Sequence, residues 1–181
     1  MSESRLVASD FFVALEAPSH VPRYVDCPEP SKYSDDLDDV RSVLADLCDV
    51  LAEVEGVRFV ARGFDQVPWR ATVRTDLAVA LEQVPDVLTR LKAEQSVELD
   101  FFEQGLERTV RFSGTGPDVT VICASRQLTW RPQLEAITMN RQVVVDMLQQ
   151  LGDTFLRVAA DACPRLVKHR WIARWAAAIH Q

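Results

Sequence analysis

Between Ser96 and Ser125 the chain changes period, and that stretch constrains the fold most. Val97, Leu99 and Phe101 alternate with Glu98, Asp100 and Phe102. Val110 and Phe112 alternate with Thr109 and Arg111, and Val119, Val121 and Cys123 with Thr120 and Ile122. Strand side chains point to opposite faces in turn, so this pattern describes strands with one apolar face. Gln104-Gly105 and Gly114-Thr115-Gly116-Pro117-Asp118 supply the turns. Parallel neighbours need a crossover of a dozen or more residues, and these links are too short. The expectation is an antiparallel three-strand meander over 97–125.

The remainder reads mainly as helix. Ser34 is placed to cap a helix whose first turn holds Asp35 and Asp36. Leu37, Val40, Leu44, Leu47, Leu51 and Val54 then recur at steps of three and four, up to Gly56. Residues 57–62 alternate as a further strand, and 63–74 form a loop. After Thr75, Leu77, Leu81, Val84, Leu88 and Leu91 mark another helical face. Pro85 interrupts it, and Asp86 favours a second short helix opening there. Ile137 to Ala162 keeps the rhythm with Arg141 as its one misfit, and Val167, Trp171, Trp175 and Ile179 form a last apolar stripe. Pro18, Pro22, Pro28 and Pro30 make 17–34 a proline-rich arm. The fold class expected is α+β in a single domain, 1–181. It has an antiparallel sheet of about four strands with helices packed mainly on one face.

Charge and cysteine content narrow the function classes. The net charge is −7, which disfavours phosphate backbones and anionic lipid, so neither nucleic acid nor membrane is expected as a partner. No signal peptide and no membrane-length apolar run is present, so the chain is expected to start at residue 1 and to be cytoplasmic. Cys27, Cys48, Cys123 and Cys163 lack zinc spacing and suit buried free thiols in a reducing compartment. His169 and His180 would stand about 16 Å apart along a helix, too far to share a metal. No metal and no cofactor is expected. Gly114-Thr115-Gly116 joins two strands and opens no helix, so it reads as a turn and not a phosphate cradle.

Two clusters bear on chemistry. Glu98 and Asp100 share a strand face, the arrangement that acid–base or metal chemistry would use, with Arg108 and Arg111 near enough to neutralise them. Residues 26–55 hold ten acids and two bases, a local charge of −8, whereas 155–181 is cationic. Self-repulsion of that density is relieved by a basic partner, which also gains association rate.

The stretch from Leu99-Asp100-Phe101-Phe102 through Leu106-Glu107-Arg108, Trp130-x-Pro132 and the Trp-rich last helix resembles bacterial polymorphic-toxin immunity proteins. That resemblance implies a cytosolic, acidic, non-enzymatic inhibitor of one cognate toxin. The leading expectation is therefore a protein that blocks a basic active-site surface of a toxin or effector. Asp35, Asp36, Asp38 and Asp39 supply the field, and Tyr33 or Trp69 the anchor. The alternatives are a small enzyme using Glu98 and Asp100, and an adaptor or chaperone for a secreted effector that exposes an apolar helix stripe.

Overall fold

The computed structural model describes residues 10–24, 26–64, 69–102, 106–128 and 130–181. The meander forms as expected. Strands β1 (Phe12–Glu16) and β2 (Arg58–Arg62) precede it, followed by β3 (Val97–Phe101), β4 (Arg108–Ser113), β5 (Asp118–Ser125) and β6 (Ala136–Asn140). β3, β4, β5 and β6 lie side by side in that order, every pair antiparallel, with Val97 opposite Phe112 and Val110 opposite Cys123. The 57–62 strand does not join this sheet. It pairs with β1 in a separate two-stranded ribbon, Leu15 opposite Phe59. The fourth strand is β6 instead, taken from a segment whose Ile137 fits a helical rhythm equally well. The α+β class stands, with the strands divided between two sheets.

The helices are α1 (Val40–Ala52), α2 (Ala78–Lys92), α3 (Arg141–Ala162) and α4 (Arg170–Ala178). α2 packs along β3 and against α1 and α3, and α3 also packs on β1. One buried apolar cluster takes Phe11 and Val13, Leu44 and Leu47, Leu81 and Leu88, Phe101, Phe112, Phe155 and Ile179.

Three boundaries move for local reasons. α1 starts after Asp39, whose carboxylate accepts from Arg41 N at 2.8 Å, so Ser34 caps a preceding turn and not the helix. Thr72, not Thr75, opens the α2 region: its hydroxyl faces Thr75 and Asp76 while Asp76 Oδ2 accepts from Thr72 N at 2.7 Å. Pro85 lies inside one continuous α2 and starts no second helix.

The cysteine expectation is corrected. Cys27 and Cys163 form a disulfide, and only Cys48 and Cys123 are free, both buried. The proline arm is consequently docked. Tyr24 N donates to Ala162 O at 2.9 Å, and Val21 is buried. Among the described residues no helix is long and apolar enough to cross a membrane.

Candidate functional site

The acidic segment between the arm and α1 is a locked turn. Leu37 N and Asp38 N both donate to Ser34 O, at 3.2 and 2.8 Å. Asp38 Oδ2 accepts from Ser34 N at 2.9 Å, and Asp36 N reaches Ser34 Oγ. Asp35 forms an ion pair with Arg170 at the start of α4. Thus Asp38 and Asp39 serve the backbone, Asp35 is neutralised by the cationic C-terminal segment, and Asp36 points outward, exposed and with no ion pair among the described residues.

The same cationic segment holds Glu29 through Arg165 at 2.7 Å. Asp46 accepts from Lys32 at 2.7 Å, and Asp49 and Glu53 flank Arg74 at 2.8 and 2.5 Å. Part of the −8 charge is therefore balanced inside the molecule.

Neither expected anchor is a free surface aromatic. Tyr33 donates its hydroxyl to Asp46 at 2.6 Å and packs its ring on His169 and Trp171. Burial, then the Asp46 hydrogen bond and charge, push its hydroxyl well above the ordinary tyrosine range. Trp69 is only 5% exposed and sits among Phe11, Phe64 and Phe101. A ring of that size gains more from the core than a loop position suggests.

The apolar side chain that the turn does present is Leu37, 87% exposed between Asp36 and Asp38. Its step of three before Val40 gives it the spacing of a core position. The signal against that reading was Asp39, an equally good cap one residue before Val40.

Glu98 and Asp100 do share a face, and each is met by an arginine. Arg111 Nε donates to Glu98 at 2.7 Å; Arg126 Nη2 and Thr109 Oγ1 donate to Asp100 at 2.8 and 3.0 Å. Glu98–Arg111 is a cross-strand ion pair on a solvated sheet face, and Arg126 reaches Asp100 from just past β5. Among the described residues no three His, Cys, Asp or Glu side chains come together as a metal group. The last helix stripe is covered as well: Trp175 and Ile179 are buried, so α4 does not offer the surface an adaptor would use.

Arg108 has the role least visible beforehand. It shares the inward parity of Val110 and Phe112, and its guanidinium lies over Trp130 at 3.5 Å and Trp69 at 4.6 Å. Burial lowers its pKa to about 10. That inward parity was the available sequence signal.

No protein-family model, no curated protein and no solved structure matches this chain.

Proposed function

We propose that this chain is a non-enzymatic binding protein of the immunity type, which covers a basic surface of a bacterial toxin or effector. The observation that carries the reading is Leu37, an exposed leucine flanked in the chain by Asp36, Asp38 and Asp39 on a turn already fixed by internal hydrogen bonds. A pre-formed turn loses little conformational freedom on binding. Its apolar tip can fill a pocket while the surrounding carboxylates steer a cationic partner. Leu37 thereby takes the place of Tyr33 and Trp69 as the anchor, and Asp36 stays among the steering carboxylates.

A cytoplasmic location belongs to this reading. The Cys27–Cys163 disulfide pulls the other way, because such bonds persist mainly in oxidising compartments.

The test is affinity capture from the encoding organism with the wild type, L37D and D36K as baits. A basic protein retained by the wild type should be lost at least tenfold by each variant. Expressed alone, that protein should be toxic, and co-expression of the wild type should relieve the toxicity. Equal retention by all three baits would remove the turn as the interface.

A further inference from the structure

Three buried hydrogen-bond donors gather where Trp69, Arg108 and Trp130 meet. Arg108 is 6% exposed and Trp69 5% exposed. Among the described residues, Arg108 Nε and Nη1 and Trp69 Nε1 are buried without a hydrogen-bond partner. Their immediate surroundings supply aromatic faces: Arg108 lies over both indoles, and the indoles meet edge to face at 6.1 Å. Cys123, close enough to Arg108 to feel its charge, is held as a neutral thiol by burial. Cation–π contact offsets part of the cost of burying a guanidinium but accepts no in-plane N–H. A buried charge is ordinarily paired, and an orphaned buried donor is costly. Trp130 and Cys123 also line a cavity of about 440 Å³ with Ser125, Arg126, Arg131 and Glu135. Among the described residues Glu135 is the one acid on that wall.

We infer that this cluster is a binding site for a small oxyanion, a carboxylate or phosphate group, with Arg108 as its principal donor and Trp130 as its movable wall. The guanidinium presents a planar fork matched to two oxygens of such a group. The cavity wall does not include Arg108 itself; the partly exposed Trp130 belongs to both, stacked on the guanidinium and lining the cavity. The donors are spent on an acceptor once one enters, which neither indole can replace.

The experiment is a titration of the full chain with sodium phosphate and, in a second arm, sodium acetate. Sodium chloride at matched ionic strength is the control. Tryptophan fluorescence and thermal unfolding are read together. A saturable fluorescence change and a Tm rise of about 3–6 °C at ten times the apparent Kd are expected in at least one arm. Preference for phosphate assigns a phosphoryl ligand, and preference for acetate a carboxylate. R108M should fold, because an apolar side chain of similar length relieves the buried charge, and should lose the response. R108K, which keeps charge without the fork, should weaken it at least tenfold and serves if R108M does not fold. No saturable response beyond chloride in either arm would overturn the site. So would a response that persists undiminished in R108M or R108K.

Discussion

Trp175 donates its indole N–H to the carbonyl of Leu81 at 2.7 Å. That carbonyl is the one Pro85 leaves without a partner, since proline at position i+4 has no N–H to give. A helix with an internal proline is thus repaired from outside, and the repair docks α4 onto α2. W175F should cost about 1–3 kcal/mol in urea unfolding, because it leaves a buried carbonyl unmet. In a P85A background, where residue 85 regains its N–H, the same change should cost measurably less. Equal costs in both backgrounds would show that ring packing alone accounts for Trp175.

Arg141 breaks the apolar rhythm of the α3 region for a reason the structure makes plain. Its side chain donates to Gly116 O at 2.7 Å, Leu91 O at 2.9 Å and Gly114 O at 2.9 Å. It ties the β4–β5 turn to the end of α2. R141A should lower stability by about 2–4 kcal/mol, and R141K should recover only part of it, since an ammonium lacks the fork. Chemical unfolding of the two variants checks this.

What was legible in the sequence follows from periodicity. The β3–β5 alternation runs through three strands joined by short links, so the antiparallel meander could be read directly, though not its register. β6 could not, because Ile137 and Met139 fit period two while Ile137, Val144 and Leu148 fit steps of three and four. Only Asn140, which caps α3 by accepting from Gln142 N at 3.0 Å, divides the two patterns. β1 is short and its partner lies far along the chain, so pairing of Phe12–Glu16 with Arg58–Arg62 had no local trace. The acidic segment was legible as charge. Its balance by Arg165 and Arg170 was not, because pairing across more than a hundred residues leaves no pattern in sequence.

The disulfide makes a countable prediction. With Cys27 joined to Cys163, purified protein unfolded in guanidinium should show two reactive thiols per chain, and four after reduction. The folded protein should show none on the same timescale. Cys48 is fully buried and its thiol is pushed far up by desolvation; Cys123 is raised to about 12. A thiolate is the reactive species, so both should be inert at neutral pH. Four thiols without reductant would show that the arm is held by packing alone. The double variant C27S/C163S should lower stability by about 2–5 kcal/mol, because the bond closes a long loop in the unfolded chain.

Glu82 sets a pH dependence whose sign can be worked out. Burial raises its carboxyl pKa; Arg41, 2.7 Å away, lowers it in part, and Asp39 raises it again. The folded chain therefore holds this proton more tightly than the unfolded chain does. Stability from this group is complete below the unfolded glutamate pKa, about 4.3, and falls as pH rises through the folded value. E82Q removes that dependence while keeping a side chain of the same shape. Relative to E82Q, the wild type should lose stability as pH rises from about 4 to 7, with the difference levelling off above the folded pKa. Urea midpoints of the two proteins across that range decide it. A wild type that gains on E82Q with rising pH would mean that the Arg41 pairing outweighs the burial of the carboxyl.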